Sequence, residues 1–285
     1  MLRHDGTPVD RAVVERMTAS MWHRRPDAAG IYATGAVGLG FRRLSILDLS
    51  HAADQPMISD DGQLTLIFNG EIFNYVELRR ELEALGHRFR SSGDTEVLLC
   101  SYRQCGPACL ERLNGMWAFL IYDARRSILF GARDRFGVKP LYIHRSTDRV
   151  LLASEIKALL SSGVCATGPN WSEISAYLLR SRLDEGTESF YKHIEQIPAG
   201  TAFELDHAGK LNAWRYWSLP EAAPQNVKDP ASEFAELFED SVRLRMRSDV
   251  PVGVCLSGGL DSTAIICAMA RQWNGSLQPL HAFVY

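Results

Sequence analysis

The sequence predicts an α+β sandwich that gives way to the opening of a parallel α/β sheet, and three observations support this. Between residues 10 and 217, amphipathic helical stripes are grouped beside strands joined by tight turns, the pattern of helices packed on antiparallel sheets. From Val252 an apolar run climbs to Leu256, halts at Ser257-Gly258-Gly259 and resumes as a helix, which reads as strand, tight loop, helix. Between these regions, Leu219 to Pro230 holds Pro220, Pro224 and Pro230 among alanines and polar residues, a linker composition. The predicted organisation is a first domain over 1–217, a linker over 218–230 and the N-terminal part of a second domain over 231–285.

The elements follow in order. Asp10 to Trp22 carries Val13, Val14, Met17 and Met21 on one helical stripe, and His23 to Asp27 is a polar turn. Ala36 to Phe41 is a short apolar strand, and Leu64 to Phe68 is another that ends at Asn69-Gly70-Glu71. Asn74 starts a helix with Glu77 three residues on, a capping-box spacing, and Gly86 stops it. Ser92-Gly93-Asp94-Thr95 opens a second helix through Val97, Leu98 and Tyr102. After Asn114-Gly115 the period becomes two: Met116 to Tyr122, Ile128 to Ala132, Leu141 to His144 and Val150 to Ala153 read as strands, with a helix from Glu155 to Leu160. Tyr177 to Leu183 and Ile197 to Thr201 close the first domain. Phe234, Leu237, Phe238 and Val242 mark a helix, Ala264 to Met269 reads as a buried one, and Leu280 to Tyr285 is the strand after it.

Composition narrows the function classes. At 46% hydrophobic and 23% charged, the 285 residues can build sizeable cores. A net charge of −3 points to neither nucleic acid nor an anionic membrane surface. No apolar run approaches the roughly 18 residues of a membrane helix, and Met1 to Asp5 is polar rather than signal-like. The six cysteines are expected to be reduced thiols in a cytoplasmic protein. Cys105 and Cys109 could share a helix face, but no nearby histidine completes a zinc site.

The Ser257 to Ser262 stretch carries the first chemistry. Two glycines let a ligand approach the backbone, and the free N–H groups at the start of the following helix attract an anion. No lysine follows Gly259, so this is not the common P-loop. Asp261 would repel a phosphate unless a divalent cation bridges the two. The plain alternative is a glycine turn with Asp261 or Ser262 as a helix cap. The string resembles the pyrophosphate loop of the ATP pyrophosphatases.

Further strings stand in order before it: Arg43-Leu44-Ser45-Ile46, Asn69-Gly70-Glu71-Ile72-Phe73-Asn74, Ser92-Gly93-Asp94-Thr95-Glu96 and Asp134-Arg135-Phe136-Gly137-Val138-Lys139-Pro140-Leu141-Tyr142. Together with Ser257 to Ser262 they are similar to the glutamine-hydrolysing asparagine synthetase family over nearly the whole chain. The resemblance implies a four-layer αββα sandwich of the N-terminal-nucleophile glutaminase type, followed by an ATP pyrophosphatase-type domain on a parallel sheet. It also implies ATP-dependent amidation of aspartate through an aspartyl-adenylate, with ammonia drawn from glutamine. ATP and Mg2+ are then the expected cofactors, glutamine, aspartate and ATP the substrates, and a homodimer a possible assembly.

Arg43 has the fork geometry to grip the glutamine carboxylate. By resemblance the backbone of Leu44, Ser45, Ile46 and Leu47 lines that pocket. Glu71 and Asp94 offer acceptors to the ammonium and amide ends. Asn69 and the Gly70 N–H would form the oxyanion hole. Leu256, Ser257, Gly258, Gly259, Asp261 and Ser262 would contact ATP, with Asp261 also on the metal. Taken singly, Arg43 reads equally as a surface charge, Asn69-Gly70 as a hairpin turn and Asp94 as a helix cap.

The chain departs from the family pattern in three places. Leu2 stands where the family places its nucleophilic cysteine, so the first strand and the nucleophile are expected to be missing and this polypeptide inactive toward glutamine. Arg25 replaces a family glycine. The second domain is expected to be incomplete. A β-lactam synthetase-like ligase with a non-catalytic glutaminase domain is the alternative, disfavoured because Arg43, Asn69-Gly70-Glu71 and Asp94 are kept together.

Overall fold

The computed structural model describes residues 1–24, 27–181, 186–221, 228–273 and 280–284. The chain divides into two compact units, Met1–Ser45 with Ser50–Ser218, and Ile46–Leu49 with Leu219–Tyr285. Arg25, Leu183, Pro224 and Tyr285, each part of a sequence expectation, lie outside the described residues.

The first unit opens with β1 (Leu2–Arg3) and α1 (Arg11–Ala19), which Asp10 caps by accepting the Ala12 N–H. A hairpin of β2 (Ala28–Thr34) and β3 (Val37–Arg43) follows. The sequence pattern does not announce β2, whose Ala-Ala-Gly start lacks the β-branched residues that mark a strand. Next come β4 (Met57–Ile58), β5 (Leu64–Ile72), α2 (Tyr75–Ala84) and α3 (Asp94–Cys105). Two hairpins follow, β6 (Gly115–Asp123) with β7 (Ile128–Arg133) and β8 (Tyr142–Arg145) with β9 (Arg149–Ala153), then α4 (Ile156–Ser161). α5 (Trp171–Arg180), β10 (Ile194–Gln196), β11 (Thr201–Asp206) and β12 (Leu211–Arg215) complete the unit.

Among the described residues these strands form two six-stranded antiparallel sheets, ordered β10-β8-β9-β1-β3-β2 and β12-β11-β7-β6-β5-β4. Leu2, Leu39, Leu152, Leu120, Leu129 and Phe203 pack between the sheets. Val13, Val14, Met17, Ala158 and Leu159 bury α1 and α4 against the first sheet. Leu78, Leu82, Val97 and Leu98 bury α2 and α3 against the second. The result is four layers, αββα, as the resemblance implies.

Two local expectations need correction. Asn74 precedes α2 but makes no capping bond. Its Oδ1 accepts the Asn114 N–H and its Nδ2 donates to the Arg112 carbonyl, so the side chain ties α2 to the start of β6. β5 runs past Phe68 to Ile72, so Asn69-Gly70 is mid-strand and not a turn. Gly70 pairs with Trp117, and a Cβ there would stand 2.1 Å from the Met116 carbonyl, so the neighbouring strand leaves room only for glycine.

The second unit contains α6 (Pro230–Arg245), β13 (Gly253–Leu256), α7 (Leu260–Gln272) and β14 (His281–Val284). β13 and β14 pair in parallel, as a strand-helix-strand unit requires. The expectation of a buried helix over Ala264 to Met269 holds only for Ala268 and Met269, because a two-stranded sheet and α6 cover a single stripe of α7. The short segment Ile46–Leu49 also belongs here: the Asp48 N–H donates to Asp249 Oδ2 at 2.6 Å, and the Asp249 N–H to the Ile46 carbonyl.

Candidate active site

The polar strings of the first unit gather where β3 and β5 touch across the two sheets. Asn69 lies in β5 with its Nδ2 donating to Ser154 Oγ at 3.2 Å, just past the end of β9. On its other side Arg24 Nη2 reaches Asn69 Oδ1 at 3.5 Å while Arg24 Nη1 donates to Glu155 at 2.9 Å. Ser154 carries no sequence signal, and Arg24 and Lys139, which stand in strings the sequence marks, have no role there, since each enters the site only through tertiary packing. Asn69, Ser154 and Arg24 line one cleft, which also runs along Gly38 to Arg42 and beside Met1.

Glu71 and Asp94 form the acidic end. Asp94 is the first residue of α3 and is buried, so the cap reading fails: Gly93 holds the cap position, and Asp94 Oδ2 instead accepts the Ile72 N–H at 2.8 Å. Burial pushes both carboxyls above the ordinary carboxylate range, and for Glu71 the neighbouring Asp94 charge adds to it while Lys139 opposes. Asp94 has backbone and Thr95 donors that favour its charged form. The Glu71 carboxylate accepts no hydrogen bond from a described residue, so Glu71 is the member of the pair that keeps a proton, pushed up to about 8.

This sets a pH dependence. With its folded value raised above the unfolded 4.5, Glu71 favours the fold fully below that value and loses this advantage as pH rises through about 8. Glu71→Gln is therefore expected to match the parent at pH 4.5 and to exceed it by on the order of 2 kcal/mol at pH 8.5. A tenfold difference in proton affinity between the folded and unfolded chain is worth about 1.4 kcal/mol, and relaxation around the charged group reduces the total. Urea unfolding at the two pH values measures this, and an equal difference at both would refute it.

Arg43, the last residue of β3, is not a surface charge. It is buried and donates from Nη1 to Asp54 Oδ1 and to the Ser50 carbonyl, each at 2.8 Å. Leu44 is half exposed, and the Ser45 N–H donates to Asp27 Oδ2 at 2.8 Å. Ile46 and Leu47 lie in the segment that clusters with the second unit.

Asp134 holds the next loop. It is 1% exposed and accepts N–H bonds from Trp117, Phe136, Val138 and Lys139 at 2.9–3.1 Å. Adjacent Arg133 donates to the carbonyls of Gly137, Lys139 and Ile197. This scaffold carries Lys139 toward Glu71.

In the second unit Leu256 ends β13, and Ser257 to Gly259 form the turn into α7. Gly258 takes φ +75° with open space around its Cα, so a phosphate could approach the backbone there. Ser262 Oγ accepts the Ser257 N–H at 3.3 Å, and Thr263 Oγ1 donates to the Gly259 carbonyl at 2.8 Å. Gly259 is the cap residue, so neither Asp261 nor Ser262 is. Asp261 sits in the first turn of a 13-residue helix, whose N–H groups and dipole suit a phosphate. Among the described residues no group of three metal-ligating side chains forms. A single carboxylate still suits Mg2+, which takes most of its ligands from water and phosphate oxygens.

An αββα sandwich with an amide within β5, an arginine at the end of β3 and paired carboxyls on β5 and α3 has the architecture of the N-terminal-nucleophile glutaminases. Glutamine phosphoribosylpyrophosphate amidotransferase from B. subtilis, solved with ADP and GMP, shares the fold at a TM-score of 0.57 and 18% identity, over 98% of this chain and 64% of that one. The chain belongs to the glutamine amidotransferase domain family, whose profile matches residues 3–217. The asparagine synthase profile matches residues 233–285. Asparagine synthetase [glutamine-hydrolyzing] 1 of Bacillus subtilis (strain 168) is 38% identical over 93% of this chain and 42% of its own length. A putative asparagine synthetase [glutamine-hydrolyzing] 2 of Methanocaldococcus jannaschii is 34% identical over 98% and 57%. The chain thus spans about half the length of such relatives or less. Among the described residues, no helix is long and apolar enough to cross a membrane.

Proposed function

We propose that this chain carries the glutamine pocket and the ATP loop of a glutamine-hydrolysing asparagine synthase, a cytoplasmic homodimer acting on glutamine, aspartate and ATP. The observation that most supports this is the run Asn69-Gly70-Glu71 on β5 beside buried Asp94, where the Glu71 carboxylate accepts no hydrogen bond from a described residue. In this reading Arg43 binds the glutamine carboxylate, with the backbone of Leu44 to Leu47 beside it. Glu71 and Asp94 orient the ammonium and amide ends. Asn69 Nδ2 and the Gly70 N–H stabilise the oxyanion as charge develops on it. Asn69 is already oriented for that task by Arg24 and Ser154.

At the second site Ser257, Gly258, Gly259, Ser262 and the first N–H groups of α7 hold the phosphates of ATP next to Leu256. Asp261 holds Mg2+, which when bound neutralises phosphate charge and orients the oxygens. The names of the relatives and the asparagine synthase match over 233–285 support aspartate as the acceptor.

The test uses a version extended to the length of the relatives. It should form asparagine from aspartate and ATP with either glutamine or ammonia. Arg43→Ala should lose glutamine-dependent synthesis by about tenfold or more, from a charge-assisted contact of roughly 2 kcal/mol, and spare the ammonia-dependent reaction. Because Arg43 also binds Asp54, equal loss of both activities would make it a structural residue only. No asparagine with either nitrogen source would overturn the reading.

A further inference from the structure

We propose that a hollow in the helical layer over the second sheet, between the end of α2, one face of α3 and the turn from β4 to β5, is a binding site for a small phosphate monoester. The hollow has a volume of about 450 Å3, within the range of small-molecule sites. None of its lining residues lines the Asn69 cleft, and none belongs to the Ser257 to Ser262 loop. α3 contributes Glu96, Leu99, Cys100, Arg103 and Gln104, which recur at three- and four-residue intervals and so share one face of the helix. The segment from Leu85 to Arg90 adds a second wall, and Ser59 and Asp60 add a third.

Three guanidinium groups, Arg88, Arg90 and Arg103, stand around the hollow with two carboxylates, Asp60 and Glu96. The carboxylates are already engaged. Glu96 is buried and accepts the Arg90 and Ser91 N–H groups and the Ser91 hydroxyl at 2.7–3.2 Å. Arg90 Nε lies 3.3 Å from Asp60 Oδ1 and 3.6 Å from Glu96 Oε1, and its Nη2 donates to the Ile58 carbonyl. Arg88 and Arg103, by contrast, form no hydrogen bond or ion pair with a described residue. Arg103 acts on Asp61 only through its field, and that carboxylate accepts from Ser59 Oγ and the Gln63 N–H. The Cys100 thiol adds no negative charge, since burial and the nearby Glu96 push it up to about 11.

The ligand chemistry follows from what is left uncommitted. Each free guanidinium presents a planar fork of N–H donors that matches the oxygens of a phosphate. A phosphate monoester carries a charge of about −1.5 to −2 at neutral pH, so a single group can answer both arginines, which a monocarboxylate cannot. His87 Nε2 lies 2.8 Å from Gln104 Oε1, and a carboxamide oxygen only accepts, so the Gln104 Nε2 is left as a further donor. The organic part of the ester has its own place. Leu85 is 60% exposed and stands with Leu99 on the lining, an apolar ledge beside the cations, and the hollow is larger than a phosphate group alone fills.

The probe is propyl phosphate, added to the 285-residue protein and followed by the NMR signals of the arginine Nε–H groups. The Arg88 and Arg103 signals should shift and saturate. Following individual residues separates this site from any phosphate held by the Ser257 to Ser262 loop, which would move signals of that loop instead. Arg88→Ala and Arg103→Ala should each weaken binding by about tenfold or more, and both side chains are exposed, so the fold should be unaffected. Arg80→Ala removes the same charge from an exposed position of α2 outside the hollow and should change binding by about twofold at most. Absence of a saturating shift at Arg88 and Arg103, or equal weakening by Arg80→Ala, would overturn the site. Inorganic phosphate binding more tightly than the ester, or succinate binding as tightly, would overturn the assignment to a phosphate monoester.

Discussion

Asp134→Ala is expected to destabilise the first unit by about 4 kcal/mol or more, enough to unfold a domain of ordinary stability. The side chain sits at 1% exposure and terminates four backbone N–H groups drawn from β6 and from the loop after β7. Each hydrogen bond to a charged acceptor contributes roughly 1.5–3 kcal/mol, and alanine leaves the donors without a partner. Asp134→Asn keeps one carbonyl acceptor and should fall between. The loop also presents Lys139 to Glu71, and moving that ammonium away should push the Glu71 carboxyl further up. Urea midpoints of the three proteins measure the order. An alanine variant within about 1 kcal/mol of the parent, close to the effect of a surface substitution, would mean that water replaces the carboxylate without cost.

Asp261→Asn should abolish adenylation in the extended protein, a loss on the order of a hundredfold or more, as expected when a hard cation loses its charged ligand. The fold should hardly notice. Gly259 is the cap of α7, and the Asp261 side chain makes no hydrogen bond with a described residue. Only its favourable position at the positive end of the helix is lost, about 0.3–1 kcal/mol. The measurement is pyrophosphate release with aspartate and ammonia supplied directly, alongside a melting curve. Near-normal release would remove Asp261 from the ATP chemistry, and a large fall in melting temperature would show a structural role absent from the hydrogen bonding.

Much of the first unit was legible because its signals are local. The Val13, Val14, Met17 stripe, the period-two runs from Met116 to Ala153 and the Gly93-Asp94 helix start all depend on neighbours within a few residues. What escaped depends on distant partners. β2 opens on Ala-Ala-Gly, which lacks strand composition, and its start is held by pairing with β3. Asn74 resembled a cap, but the Asn114 N–H, 40 residues on, competes for its side chain. Arg43 reads as a ligand-gripping cation, but its pairing with Asp54 and Ser50 was not announced by any local spacing. The site was legible as an ordered set of strings, whereas its supports, Arg24, Ser154 and the Asp134 clamp, are defined by contacts that no spacing announces. In the second unit the strand-loop-helix signal was clear, yet an apolar composition overstated burial, because depth depends on how many layers cover a helix.

The placement of β1 in the first sheet has a cost in time. Its partner β9 begins at Arg149, so the ribosome must add nearly 150 residues after β1 before that strand can be flanked on both sides. At ordinary elongation speeds that is roughly ten seconds or more. Over this interval the apolar Val37 and Leu39 of the β2–β3 hairpin lack the inter-sheet core that later buries them. The nascent chain should therefore be a client of ribosome-associated chaperones, and a translational pause placed before residue 149 should raise its tendency to aggregate, whereas one placed after it should not.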